Sequence, residues 1–508
     1  MNLENNQRLQ PAWLGRVFSL DLRSLAVFRV AWGLTLIWDL IFRWSSLTAM
    51  YTDQGFFTRQ ISYDYLQHKV GDQWVSLFWS FYWLSGSTEF AAALFIITGL
   101  LAVLFVLGCW TRVVTVGLFL LLVSLHYRNP LVLTSGDLYF KTLLLWSIFL
   151  PLGKVWSWDA RRAGRTVENQ QNPIATLATV GFLFQIIFMY FFTGLSKCNE
   201  VWLQGDAMWY VLRLDIYINP FGRLLLDFPA LLRLISWATL FFEVVWVWTL
   251  LIPWRNDWFR LSNLIAFMGF HVGIGLSMSI GLFPVICMIA WLPLLPGYLW
   301  PGASRTAIGG FQTWTELSTI GRLSRLVCGG LLAFTLIWNV GNIQHPNTLP
   351  LKSALVQKVG YRMGCEQHFQ MFDRPPEVNP WFVYEAELKD GTRLDLLTGG
   401  EIKSTRPEWV REIFPTFHWR KMHRNMMAQN LDFLRQPLAE YWGKQWNETH
   451  GPEQQVVSLR LVCYMEDIGP DYNEANRSSV IWGSVKTEEA RPGSLFDNLL
   501  KEGGDLPF

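Results

Sequence analysis

The chain has 508 residues, 51% hydrophobic and 16% charged, with 28 tryptophans and a mean hydropathy of +0.22. That composition excludes an ordinary soluble domain and points to a polytopic membrane protein. A formal net charge of +2 argues against a nucleic-acid partner, and the six cysteines show neither CxxC pairs nor metal-ligand spacing.

The N-terminal stretch "MNLENNQRLQPAWLGRVFSLDLR" has arginines but no apolar core ending in a small-residue cleavage site, so the first membrane helix is expected to serve for targeting. A spanning helix needs about 20 mostly apolar residues. About nine segments qualify, at 24–43, 90–110, 113–127, 138–153, 174–195, 231–253, 261–279, 281–299 and 326–342, the third and fourth being short. The segment 76–86 is too short and polar to span and is placed on the membrane surface.

Lysines and arginines set the orientation. Arg8, Arg16 and Arg23, Arg112, the group Lys154, Arg161, Arg162 and Arg165, the pair Arg255 and Arg260, and the group Arg305, Arg322 and Arg325 fall on one side if nine helices are counted. That side is expected to be the cytoplasm, with the N-terminus in it and the C-terminal tail outside. The loop between the fifth and sixth helices breaks the rule with Lys197, Arg213, Arg223 and Arg233. It balances them with Glu200, Asp206, Asp215 and Asp227, and reads as a folded, re-entrant loop.

From about residue 343 proline, charge and strand-like alternation replace the apolar runs. "WFVYEAELKDGTRLDLLTG" (381–399) reads as a hairpin whose Asp-Gly suits a type I′ turn. A further strand is expected at 456–466, with helical spacing and a proline break between the two. The expected fold is therefore mainly α: a transmembrane domain of about nine helices over 1–342, followed by an extracytoplasmic mixed α/β domain over 343–508.

With that topology His126, Arg128, Asn129, Asp137, Lys141, Lys197 and His271 converge on one leaflet. Ionisable groups at membrane depth are costly and tend to face a protein interior or a wet cavity, so this cluster is the candidate site. Each also has a plain structural reading. Lys197, at a helix end, can snorkel to the headgroups, and His271 can be a satisfied packing histidine. Arg29, Asp39 and Glu243 can be structural ion pairs or hydrogen-bonded partners, and "GIG" with "SMS" after His271 reads as small residues for close helix packing.

Four stretches, "SLAVFRVAWGLTLIWDL" (24–40), "LGCWTRVVTVGLFLLL" (107–122), "FFTGLSKCNEVWLQGDAM" (191–208) and "FHVGIGLSMSIGLF" (270–283), resemble in order the membrane region of vitamin K-dependent gamma-glutamyl carboxylase and, more widely, the bacterial HTTM-domain proteins. "HFQMF" followed by the hairpin resembles the lumenal segment after the carboxylase's last helix. The likeness covers about residues 20–465. It implies an enzyme of quinol-epoxidase and carbon–carbon lyase type, in which Lys197 is the base that deprotonates a reduced naphthoquinone, vitamin K hydroquinone. Oxygen and carbon dioxide would be co-substrates, and a protein or peptide bearing glutamate side chains would be the second substrate. His271 matches a histidine that helps hold the quinone; Arg128, Asn129 and Asp137 are its expected companions. Removal from water disfavours the charged form of an amine, which is how such a lysine becomes a base.

The resemblance has a gap. Where the carboxylase has an asparagine-asparagine-histidine run, this chain reads "TSGDLY", with Gly136 or Asp137 at the histidine's place, so no imidazole for carboxylation is carried over. Two outcomes are distinguishable in structure. An enzyme requires a largely apolar cavity of about 300–1,000 Å³ beside Lys197. A membrane scaffold, chaperone or immunity-type protein predicts Lys197 hydrogen-bonded to neighbouring carbonyls or carboxylates, with no cavity beside it. Transport is disfavoured, since no inverted repeat is visible.

Overall fold

The computed structural model describes residues 12–165, 173–301, 311, 318–343, 351–369, 371–428, 431–468 and 477–486. Arg8, Arg305 and Gln370 of "HFQMF" lie outside these residues.

The nine apolar segments all contain helix, but only seven are long and apolar enough to cross a membrane, among the described residues. These are α1 (Leu22–Trp44), α2 (Thr88–Leu107), α3 (Thr111–Arg128), α5 (Leu177–Ser196), α6 (Pro229–Leu251), α7 (Asn256–Ser277) and α9 (Thr319–Ile343). The helices of the other two fall short of that length. Helix α4 (Ser135–Ser147) stops short of the loop that holds Pro151 and Gly153, and α8 (Phe283–Ala290) gives way to a 3₁₀ turn at Pro293. Proline lacks the N–H an α-helix needs and clashes with the preceding turn, so an apolar run interrupted by it does not stay helical. The segment 76–86, expected on the membrane surface, has the 3₁₀ turn Phe81–Trp83 as its only helical structure.

Helix α5 is the axis of the bundle. Its sequence is apolar on every face, the pattern of a helix surrounded by others, and most of it is buried. A reciprocal cap between Thr176 and Thr179 fixes its start. Its one amide, Gln185, accepts from Trp146 Nε1 at 3.3 Å and donates to Gln367 Oε1 at 3.0 Å, so the polar group is not stranded.

Gln367 belongs to a segment, 361–373, that runs from the tail back among the helices. Its carbonyls accept from Tyr127 (through Tyr361, 2.6 Å), Trp338 (through Gln367, 2.7 Å), Thr193 (through Phe369, 2.8 Å) and Trp202 (through Phe372, 2.8 Å). Side chains of α3, α5, α9 and the α5–α6 loop thereby satisfy carbonyls of a helix end and of the irregular backbone after it, which would be costly to bury unpaired. The tail thus does more than cover the bundle; its first part is built into it.

Beyond this segment, β1 (Val378–Leu388), β2 (Arg393–Asp395), β3 (Val456–Asp467) and β4 (Arg477–Lys486) form an antiparallel sheet in the order β2-β1-β3-β4. Helices α10 (Phe417–Ala428) and α11 (Arg435–Thr449) lie between β2 and β3 in sequence. The expected hairpin is present, with Glu385 opposite Asp395, but its turn is not type I′. Gly391, at φ 89°, is the one left-handed residue there, and its N–H bonds back to the Leu388 carbonyl at 2.9 Å. A tight turn followed by a left-handed glycine keeps Asp390 out of the positive-φ region that a type I′ turn would force on it. Cys365 and Cys463 are both buried and free.

Candidate functional site

Helix α5 ends at Ser196, and Lys197 follows as its cap. The lysine does not reach outward to headgroups. Its Nζ lies 2.8 and 2.7 Å from the two carboxylate oxygens of Glu243, and each side chain is only about 5% exposed. Glu243 comes from α6, which changes winding where the acid sits: α-helical to Leu240, π-helical over Phe241–Val245, then 3₁₀ to Leu251. A π turn widens the helix by a residue per turn and is found preferentially at functional sites. The glycine of "GLSK" makes the approach possible, because a Cβ on Gly194 would fall 2.8 Å from Glu243 Cβ and 2.7 Å from Val244 Cγ2.

The pair borders a cavity of about 370 Å³. Its lining is mostly apolar, from Met189, Phe221, Ile235, Phe270, Phe283 and Phe372, with Lys197, Glu243, Tyr190 and His271 and the hydroxyls of Thr193, Thr239 and Ser277 as the polar groups. The loop between α5 and α6 folds over it and contributes Trp202, whose ring centre lies 5.1 Å from Lys197 Nζ. The reading of that loop as folded is consistent with its short helices Glu200–Leu203, Ala207–Leu212 and Pro220–Leu225. Both distinguishing features are therefore present together: a quinone-sized apolar cavity beside Lys197, and a carboxylate bonded to it.

His271, on α7, is fully enclosed and lines two cavities at once. Its Nε2 lies 2.7 Å from Tyr190 Oη, which also accepts from Trp291 Nε1 at 3.0 Å. With the tyrosine proton directed to Nε2, the neutral ring carries its own proton on Nδ1. That nitrogen has no hydrogen-bond partner among the described residues.

The second cavity, about 550 Å³, is the more polar. Arg43 Nε donates to Asp39 at 2.7 Å and its Nη2 to Asp137 at 2.5 Å, while Nη1 donates to Tyr51 at 2.9 Å. Asp137 also caps its own helix through Thr134, accepting from the hydroxyl and the N–H at 2.7 Å each. His126 and His418 line the same chamber, and His126 Nδ1 is a second buried nitrogen without a partner. Unpaired buried polar atoms are uncommon in folded proteins and draw attention to the space they face.

The remaining residues of the expected cluster serve the scaffold. Arg128 donates to the Phe57 carbonyl at 2.6 Å and Asn129 to the Met50 carbonyl at 3.0 Å, holding the loop after α1. Neither lines the Lys197 cavity or the polar chamber. Lys141 pairs with Glu366 of the threaded segment at 2.6 Å. Arg29 donates to the carbonyls of Leu152 (2.8 Å) and Trp156 (2.6 Å), which makes it a structural arginine.

The "GIG" glycines do not pack helices closely, contrary to expectation. A Cβ on Gly273 would meet nothing within 4 Å, and one on Gly275 only Pro284 at 3.8 Å. They line the cavities, Gly273 the one beside Lys197 and Gly275 the polar chamber, so their missing side chains contribute open space. The glycine of "SIG" does have a packing reason: Gly281 sits at φ 71°, and a Cβ there would lie 2.6 Å from the Phe417 ring.

Tyr190, Arg43 and His418 were not singled out by sequence reasoning, and Glu243 was read only as a structural partner. Tyr190 lies seven residues before Lys197, two turns back on the same helix face, a spacing that could have flagged it. Arg43 stands four residues after Asp39, the spacing of a helical ion pair. No local pattern ties His418 to the membrane region.

No solved structure matches the chain. The HTTM domain family model matches residues 19–300, which takes in α1 to α8 and every residue of the Lys197–Glu243–His271 constellation. With more than half of its length matched, the chain belongs to the HTTM domain family, the group to which the carboxylase-like motifs pointed.

Proposed function

We propose that the protein is a membrane enzyme that removes a proton from a reduced naphthoquinone, with Lys197 as the base. The observation that carries this reading is the placement of Lys197 Nζ on the wall of a largely apolar, ligand-sized cavity where Glu243 is the one other charged lining residue among the described residues. An ammonium cannot accept a proton, but the Glu243 carboxylate can take one from it. Transfer across a 2.7 Å contact turns the pair into an amine and a carboxylic acid without changing the charge of the cavity.

The fit to a reduced naphthoquinone rests on the donor set. Aromatic and aliphatic walls suit its rings, and a neutral His271 offers Nδ1–H to an oxygen while Tyr190 and Trp291 hold the imidazole in place. Such a ligand would supply an acidic hydroxyl and, with oxygen, the epoxidation chemistry. The protein's part is to accept the proton at Lys197 Nζ, orient the ring through His271, and keep water out.

Carboxylation of a glutamate side chain needs an imidazole facing the second substrate. Gly136 and Asp137 supply none, and His126 and His418 line the chamber on the other side of His271. The alternative, a scaffold in which the pair only locks α5 to α6, draws on the same ion pair. The test is oxygen-dependent conversion of vitamin K hydroquinone to its epoxide by purified protein in lipid. We expect turnover that is lost in Lys197→Ala and Glu243→Gln and reduced in His271→Ala. Carbon dioxide incorporation into a glutamate-containing peptide would be followed in the same reactions, with His126→Ala and His418→Ala compared. Absence of turnover in folded native protein, across naphthoquinols of different tail length, would leave the scaffold reading.

With the two short apolar segments α4 and α8 also taken as traversing the membrane, the basic residues place the N-terminus in the cytoplasm and the C-terminal domain outside, and this is the orientation we propose. Cys198, exposed beside the site, is expected to react with a membrane-impermeant maleimide from the outer side only.

A further inference from the structure

Between the membrane bundle and the C-terminal domain lies a third hollow, of about 270 Å³. Its outer wall carries Arg374, Lys421 and Arg424, with Asp373 as the one carboxylate. None of the three cations forms an ion pair or hydrogen bond among the described residues. Lys421 and Arg424 are half-buried and Arg374 is exposed at the rim. Elsewhere enclosed cations find a carboxylate, as Arg43, Lys141, Lys197 and Arg460 do, or backbone carbonyls, as Arg29 and Arg128 do. Leaving three like charges together without counter-ions is costly, and such a group is stable where an anion joins it.

The inner wall of the hollow is different. Ile280, Phe283, Met371 and Phe372 line it, and the same four residues line the cavity beside Lys197. A ligand held by its head at the cations can therefore run an apolar chain inward.

We infer that this vestibule binds a phosphomonoester carried on a single apolar chain. Three cations against one carboxylate leave a net charge of +2, which matches a doubly charged phosphate better than a singly charged carboxylate. The two guanidinium groups can each hold phosphate oxygens in a forked geometry, and the ammonium adds a point charge. The inward wall distinguishes a lipid-borne phosphate from a free one, because only the former uses the apolar residues. This inference does not rest on the quinol chemistry; it predicts only that a chain in the vestibule competes with whatever occupies the Lys197 cavity.

The test uses the full chain in phosphatidylcholine nanodiscs, with farnesyl phosphate, farnesol and inorganic phosphate as probes and intrinsic fluorescence as the readout. Farnesyl phosphate is expected to bind at least ~10-fold more tightly than farnesol. The double variant Lys421→Gln/Arg424→Gln should lose that advantage, whereas Lys421→Arg should keep it. Unfolding midpoints taken on the same samples identify a variant that has failed to fold, and the single variants then carry the comparison. Equal affinity for farnesyl phosphate and farnesol, or unchanged affinity in a folded double variant, would overturn the site. Inorganic phosphate binding as tightly as farnesyl phosphate would overturn the lipid-borne half.

Discussion

Breaking the Lys197–Glu243 pair one side at a time should reveal how dry its surroundings are. Both side chains are about 5% exposed, and Nζ contacts both carboxylate oxygens at 2.7 to 2.8 Å. Glu243→Gln removes the counter-charge and leaves an ammonium in an apolar wall; Lys197→Met leaves a carboxylate there. Removing one partner of a buried pair costs about 3–5 kcal/mol, since the remaining charge is uncompensated. The double variant Lys197→Met/Glu243→Gln has no charge to strand and should recover much of the loss. The expected coupling is at least about 3 kcal/mol, at or above the upper end for contacting residues, so that the double variant costs no more than either single one. Denaturant unfolding of the four proteins in mixed micelles measures it, and quinol turnover measured alongside separates stability from chemistry. All three variants should be inactive although the double variant is stable. Costs that simply add, with coupling under about 0.5 kcal/mol, would mean that water already screens the pair, and the account of a dry base would fail.

Two further substitutions exploit the glycines. Gly273→Leu has nothing to clash with, so stability should stay within about 0.5 kcal/mol while naphthoquinol binding, read by fluorescence quenching, is weakened by occupation of the cavity. Gly194→Ala should do the reverse at the helix contact, costing about 1–3 kcal/mol as its Cβ pushes Glu243 away, with turnover falling because the base loses its partner. Phosphomonoester binding at the vestibule should depend on pH through Lys421. Burial, with Arg424 close by, pulls its ammonium down to about 8; Lys69 acts the same way and Asp137 opposes them, while Arg374 and Asp373 share the hollow. The lysine is charged below that value and neutral above it, and the phosphate gains its second charge near pH 6. Farnesyl phosphate affinity, titrated from pH 5 to 10, should therefore be greatest at about pH 6 to 8 and fall through pH 8 to 9; a flat profile would remove Lys421 from the site.

What the sequence made legible depended on whether a feature is local. Apolar runs mark where chain can enter a membrane, and all nine such runs hold helix. Whether a run stays helical for a full crossing depends on a few interruptions, and Pro151, Pro293 and Pro296 were present to be read. The hairpin was legible because Asp390–Gly391 separates two alternating stretches. Its turn type was not, because one left-handed glycine satisfies the chain as well as two positive-φ residues would.

The site itself divides in the same way. Lys197 and His271 stand in stretches with family motifs and could be named, whereas each has its partner on a distant element, and only Tyr190 had a spacing to announce it. Glu243 is 46 residues from Lys197, and it faces the lysine only because α6 takes a π turn there and Gly194 leaves room for the approach. The "GIG" pattern shows the limit most sharply. Small residues four apart or closer admit two opposite uses, to bring a second helix near or to keep a space open, and the sequence is identical in both cases. What decides is the neighbour. Gly194 faces the α6 backbone and closes a contact; Gly273 faces nothing within 4 Å and lines the cavity beside Lys197. In this bundle a packing glycine and a cavity glycine act on the same ion pair from two sides, Gly194 setting the distance between Lys197 and Glu243 and Gly273 the open space beside them.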